Sequence, residues 1–320
     1  MSTQPGATGQ APPDRADRTG FDGPRSAGQG ADAPRYTARL LVGCPDRPGI
    51  VAAVSGFLFE LGANIVSSHQ YSSDPSGGRF FLRMELFLDG ALESEQARED
   101  LRRRFAVEVA ERFAMDWELR FWGQRRRLAI LVSRQDHCLV DLLWRLGRGE
   151  LQADVVGVLS NHPDLEPAVR AAGVPYHHVP VEPGQRARSE ERLLELLAGR
   201  VEVLVLARYM QILSGDFLER LGAPAINIHH SFLPAFPGAE PYRRAREHGV
   251  KLIGATAHYV TAELDAGPII EQGVERVDHR LGVAELERVG RDIERVVLAR
   301  AVGMHLDDRV IVDGGRTVVF

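Results

Sequence analysis

The spacing of apolar and polar positions divides the chain into three regions. Residues 1–34 hold eleven Gly or Pro among Ala, Asp, Ser and Arg, and after Met1 Phe21 is their one large apolar side chain. Such a stretch buries too little surface to offset the entropy of ordering, so a disordered tail is expected. From residue 35, short apolar and β-branched runs predict strands over 37–43, 63–69, 79–87 and 116–121. A helical pattern over 50–61 follows the first, the turn Asp74-Pro-Ser-Gly-Gly78 joins the second to the third, and a charged helix over 94–113 precedes the last. This βαββαβ order predicts a ferredoxin-like domain over 35–122.

Residues 123–127, Gly-Gln-Arg-Arg-Arg, read as a solvated linker. Beyond it, β-branched runs over 128–132, 153–159, 176–179 and 201–206, and the strand carrying Asn227, alternate with helical patterns over 137–146, 165–172, 189–197 and 216–221. Strands separated by helices predict an α/β domain over 128–320, with a doubly wound, Rossmann-like and mainly parallel sheet. A last helix over 283–305 repeats Leu, Val and Ile at helical spacing and is expected to pack on that sheet.

Composition narrows the picture. A chain of 320 residues with 44% hydrophobic content supports two packed domains. A net charge of -5 gives no reason to expect nucleic-acid binding, and the 39 basic residues include Lys251 as the single lysine, a bias of codon usage. Cys44 and Cys138 are too few for a disulfide framework. The sequence has neither an apolar run of membrane-spanning length nor a basic-then-apolar leader, so a cytoplasmic protein without membrane contact is expected.

The candidate chemistry lies in Ala225-Ile-Asn-Ile-His-His-Ser-Phe-Leu-Pro234, where an apolar strand ends in polar groups. Side chains alternate along a strand, so Asn227 and His229 share one face, and Ile226 and Ile228 the other. His230 faces away from the pair and reads as structural. Ligands of doubly wound sheets bind beyond the strand carboxyl ends, which is where this pair falls. Downstream, Gly254-Ala-Thr-Ala-His-Tyr-Val260 and Leu264-Asp-Ala-Gly-Pro-Ile-Ile270 complete an ordered set of motifs.

Together these segments resemble the folate-dependent formyltransferase superfamily. The resemblance implies a catalytic set of Asn227, His229 and Asp265, supported by His137, His230 and Ser231. It also implies a folate-binding segment containing Arg208, Tyr209, Met210, Ile212 and Leu213, with His258 beside the pocket and Leu264 to Gly267 closing it. A formyl group passes through a tetrahedral centre whose oxygen becomes negative. The Asn227 amide can donate to that oxygen, and an imidazole can donate or shuttle protons because it ordinarily titrates near neutrality. Asp265 would orient or charge-stabilise the imidazole and carry the proton from nucleophile to leaving amine.

Asp46-Arg-Pro-Gly-Ile50, in its ferredoxin-like setting, resembles the turn of an ACT domain. That implies an amino-acid effector held by Asp46, Arg47, Pro48, Gly49 and Ile50, and pairing of subunits into a homo-oligomer, dimer or tetramer. Gly49 permits the turn, and the amides that open the next helix can receive a carboxylate.

The nucleophile is read from Ser133-Arg-Gln-Asp-His-Cys138. Transferases acting on glycinamide ribonucleotide carry Ser-Gly-x-Gly-Ser-Asn there, cradling a phosphate with backbone amides. Arg134 and Asp136 replace both glycines, and a carboxylate repels phosphate. With the ACT-like domain, this resembles the hydrolytic branch of the superfamily, which implies cleavage of 10-formyltetrahydrofolate by water to formate and tetrahydrofolate. That activity would supply formate for purine synthesis and balance one-carbon pools. The folate is the substrate, no permanently bound cofactor is expected, and no spacing suggests a dedicated metal site. Transfer to an amine acceptor and a non-catalytic amino-acid-binding regulator remain as alternatives. Glu240 stands where the family usually has a basic residue. Cys138 opens a helix beside His137, but the chemistry needs no covalent intermediate.

Overall fold

The computed structural model describes residues 37–88, 94–233 and 241–320. The predicted tail over 1–34 and the loop containing Pro234 and Glu240 lie outside them. The first module runs β1 (Ala38–Pro45), α1 (Ile50–Glu60), β2 (Asn64–Ser72), β3 (Arg79–Phe87), α2 (Glu95–Phe105), a π turn (Ala106–Ala110), α3 (Glu111–Phe113) and β4 (Asp116–Phe121). Its sheet has the order β2-β3-β1-β4, antiparallel throughout. Leu40, Val42, Leu82, Met84 and Leu86 face the helices and pack with Val54, Phe57, Leu58 and Phe105.

The single charged helix predicted over 94–113 is instead interrupted by the π turn. Leu101, Phe105, Val109 and Phe113 are all buried and follow one another every four residues. A helix of 3.6 residues per turn drifts about 40° at each such step. The wider turn cancels that drift and keeps Phe113 on the core side.

The second module runs β5 (Arg126–Val132), α4 (His137–Gly147), β6 (Ala153–Ser160), α5 (Glu166–Ala171), β7 (Tyr176–His178), α6 (Arg186–Leu197), β8 (Val203–Ala207), α7 (Gly215–Leu221), β9 (Ala225–His229), α8 (Pro241–Glu247), β10 (Leu252–Tyr259), β11 (Ile269–Arg276), α9 (Val283–Leu306), β12 (Val310–Asp313) and β13 (Arg316–Val319). The sheet order is β11-β10-β9-β8-β5-β6-β7. It is parallel from β9 to β7, and β10 and β11 add on antiparallel. Alternate residues supply two cores. Leu128, Ile130, Val205, Ile226 and Ile228 pack under α4 and α9. Ala129, Leu131, Leu204, Leu206 and Ala225 pack under α6 and α7.

Two expectations change where the modules meet. The predicted linker over 123–127 loses its last two residues to β5, because Arg126 is not solvated. Its Nη2 lies 2.6 Å from Oδ1 of Asp308, a residue only 4% exposed just beyond α9. Arg39 of β1 reaches the other Asp308 oxygen at 3.3 Å, and Arg83 of β3 donates to the Asp307 and Asp308 carbonyls at 3.0 and 2.9 Å. The hairpin β12–β13, for which the sequence pattern gave no expectation, returns to the first module, with Asp313 pairing to Arg79 at 3.1 Å.

Candidate active site

Backbone pairing assembles the site. In the antiparallel β9–β10 ladder Asn227 stands opposite His258 and His229 opposite Thr256, so all four side chains project to one face. The Asn227 amide nitrogen is 3.3 Å from Nε2 of His258. Nδ1 of His258 lies 2.9 Å from the Tyr259 carbonyl, which can only accept, so this ring carries its proton on Nδ1 and offers Nε2 to the amide. Burial pushes the His258 pKa down, which keeps the imidazole neutral in that role.

Asp265 enters from the loop after β10 with φ 55, a left-handed conformation rare for a residue with a side chain. One carboxylate oxygen is 3.2 Å from Nδ1 of His229, and the other 3.7 Å from Nε2 of His258. The hydrogen bond from His229 holds the Asp265 carboxyl below its ordinary range against the opposing effect of burial. With Nδ1 given to the carboxylate, the buried Nε2 of His229 has no partner among the described residues. A desolvated imidazole nitrogen without a partner is costly in a folded protein and marks the atom left for a ligand.

The expected substrate segment divides by exposure. Met210 and Ile212 are 60% and 55% exposed, and Leu264 is 62% exposed. The chain behind them is close: a Cβ built on Gly215 would lie 3.3 Å from the Ala262 methyl, so the 208–215 and 261–265 segments are neighbours. Tyr209 and Leu213 instead fill the core under α6 and α7, and burial pushes the Tyr209 phenol up to about 12. Gly267 packs on the Tyr259 backbone so tightly that no side chain fits. Arg208 departs from the expectation of a folate contact, since its guanidinium is buried and turned into the protein.

That guanidinium joins a second charged group on the α9 side of the sheet. Oε2 of Glu294 lies 2.8 Å from His137 Nε2 and 3.4 Å from Arg208 Nε, and its Oε1 accepts a 2.9 Å hydrogen bond from Tyr242. Burial alone would raise the Glu294 pKa, but His137 and Arg208 hold it below its ordinary value. Gly290, one turn before Glu294, lacks the side chain that would collide with the Tyr242 ring. His230 lies just past the end of β9 and does not turn away from the pair as expected: its ring stacks 5.0 Å from that of His229 and lies 6.4 Å from that of Tyr242. Burial, reinforced by Arg208, drops the His230 pKa to about 4. Ser231 is buried, and its carbonyl accepts a 2.9 Å hydrogen bond from Thr256.

Sequence spacing did not reveal Glu294, because its partners lie 157, 86 and 52 residues away in the chain. The one available signal was a carboxylate at helical spacing with the apolar Val297, Leu298 and Ala301 of α9. His137, Cys138 and Glu294 also offer donor atoms within 4.8 Å of one another. Glu294 is already engaged by a guanidinium, an imidazole and a phenol, and burial pushes the Cys138 thiol well up, so the group forms an ion-pair network. The same burial removes Cys138 as a nucleophile.

In the first module, Gly49 adopts φ 96 and the 46–50 turn forms as expected. Asp46 accepts from the Ser72 hydroxyl, and Arg47 lies 4.6 Å over the Phe113 ring. Pro48 is exposed and Ile50 buried.

An Asn-x-His strand end completed by a loop aspartate, on a doubly wound sheet behind a ferredoxin-like module, is the frame of a formyl-handling enzyme. The formyl transferase family model matches residues 126–302, and the ACT domain model matches residues 38–105. The formyltetrahydrofolate deformylase of Mycobacterium tuberculosis strain H37Rv is 56% identical over 282 residues, covering 88% of this chain and 90% of that protein. The crystal structure of a formyltetrahydrofolate deformylase from Pseudomonas syringae superposes with a TM-score of 0.84 at 46% identity, covering 89% of this chain and 94% of that one. The structure of glycinamide ribonucleotide transformylase 1 from Symbiobacterium toebii superposes at 0.59 with 34% identity, covering 63% of this chain and 98% of that one. The chain belongs to the formyl transferase family, in its ACT-bearing branch of formyltetrahydrofolate deformylases.

Proposed function

We propose that this protein hydrolyses 10-formyltetrahydrofolate to formate and tetrahydrofolate, with Asn227, His229 and Asp265 as its catalytic residues. The contact between Asp265 and Nδ1 of His229 carries this reading, because it leaves Nε2 of His229 as the atom directed at the substrate. Water adds to the formyl carbon, and the carbonyl oxygen becomes an oxyanion. The Asn227 amide donates to that oxygen, and His229, oriented by the Asp265 carboxylate, stabilises it from Nε2. Asp265 takes the proton from the attacking water and returns one to N10 as the carbon–nitrogen bond breaks. The neutral His258 ring holds the Asn227 amide in its donating orientation. The exposed apolar surface of Met210, Ile212 and Leu264 suits the face of a pterin.

Incubating the protein with 10-formyltetrahydrofolate and no acceptor tests this function. Stoichiometric formate is expected, and none would overturn it. We place the activity in the cytoplasm, where its formate feeds purine synthesis and balances the one-carbon pools. An amino acid of one-carbon metabolism bound at the 46–50 turn tunes the rate, a reading supported by the preformed turn at Gly49. Titrating glycine and methionine while following turnover tests it; no binding and no rate change would remove it. The exposed edge strand β2 supports a homo-oligomer, dimer or tetramer, which light scattering would detect.

A further inference from the structure

The catalytic groups proposed above serve water and an amine equally well. In either case a lone pair adds to the formyl carbon, the bond to N10 breaks, and the nucleophile's proton passes to N10. Discrimination must therefore come from what admits the nucleophile. In a doubly wound sheet that entrance is the crevice at the strand carboxyl ends where the winding reverses. Here the reversal falls between β5 and β8, since the chain leaves β5 for β6 on one side and returns to β8 on the other.

Side chains from both banks span this crevice. Continued extension of β8 would send Arg208 with Leu204 and Leu206 toward α6 and α7. Its φ of 64 breaks the alternation, a left-handed conformation that is strained for a residue with a side chain. The guanidinium crosses instead to the exit of β5, where Nε donates to Gln135 Oε1 at 2.8 Å, and it meets Glu294 at 3.4 Å. His137, also from the β5 exit, fixes the same Glu294 oxygen at 2.8 Å. Arg208 is 7% exposed and Glu294 1%. A buried carboxylate resists losing its partners, so the bridge does not open cheaply.

We propose that Arg208 and Glu294 are specificity-determining residues: linked to Gln135 and His137, they close the crevice between β5 and β8 to an amine acceptor and leave the formyl carbon accessible to water. This rests on the hydrolytic function proposed above. Its test is the ratio of formylated amine to formate when 10-formyltetrahydrofolate is turned over with excess glycinamide as the probe amine. The wild type is expected to yield formate alone. Arg208→Gly combined with Glu294→Gln removes both charges, relieves the left-handed backbone and is expected to raise the ratio at least tenfold, in proportion to glycinamide.

Gln135→Gly alters an exposed residue and serves if the double variant does not fold; about a threefold rise is expected from a loosened Arg208. An unchanged ratio in a folded double variant, or in Gln135→Gly where the double variant does not fold, overturns the proposal. Failure of the function itself looks different, since the wild type would then release no formate without an amine.

Discussion

Two carboxylates flank the sheet end, each beside a histidine, and they differ in what surrounds them. Asp265 keeps 22% of its side chain exposed and spends one oxygen on His229. Glu294 keeps 2% and spends both, on His137, Arg208 and Tyr242. Both are held ionised by their partners, so charge alone does not separate them. Satisfaction does: a carboxylate with an unspent oxygen beside an unpartnered imidazole nitrogen can move protons, whereas a saturated one acts by holding its partners in place.

The largest expected effect comes from breaking the open side. Asp265→Asn should lower kcat about 10²- to 10⁴-fold while the fold persists, the range for a positioned proton carrier. Single-turnover formate release within tenfold of wild type would erase the contrast. Asn227→Ala follows with a loss of about 10²- to 10³-fold, the cost of one oxyanion donor. An unaltered kcat with a raised KM would instead make that amide a binding group.

On the saturated side the expected loss is in stability. Glu294→Ala strands the Arg208 guanidinium and should cost about 3–5 kcal/mol in denaturant unfolding. Formate release per folded molecule should stay within tenfold of wild type. A catalytic loss matching that of Asp265→Asn would show the two carboxylates to be one unit.

The smallest effect is set by pH. Glu294 and Asp265 have depressed pKa values, so their stabilisation is complete above their ordinary values near 4 and is lost below them. His230 is a base with a depressed pKa, neutral when folded and readily protonated when unfolded. Its contribution is complete above pH 6.5 and lost as the pH falls toward about 4, on the order of 3 kcal/mol at most. Unfolding free energy should therefore begin to fall below pH 6.5, and His230→Gln should flatten that slope. An unchanged slope would place the titration elsewhere, with His305 the next buried histidine to examine, its pKa dropped to about 3 by burial.

Local pattern carried most of the fold into view. Apolar and β-branched runs located β1, β3, β5 and β9, and strand alternation put Asn227 and His229 on one face. Both depend on neighbours in the chain. What the sequence concealed depends on distant partners or on backbone twist. Arg208 reads as a folate contact until its positive φ is known, and Arg126 reads as linker until Asp308 is seen to receive it. The π turn follows from a fourfold spacing visible beforehand, but only burial on both sides of Ala106–Ala110 shows that spacing to be structural.

α9 carries Glu294 midway along its 24 residues, and the chain leaves it directly into Asp307 and Asp308. One rigid rod thus ends against Arg39 and Arg83 of the first module and passes the crevice of the second. Separating the modules would take Arg39 and Arg83 away from the buried turn at Asp307 and Asp308 and fray the helix that anchors Glu294. The two modules that match separate family models should consequently melt as one cooperative unit, in a single calorimetric transition rather than two.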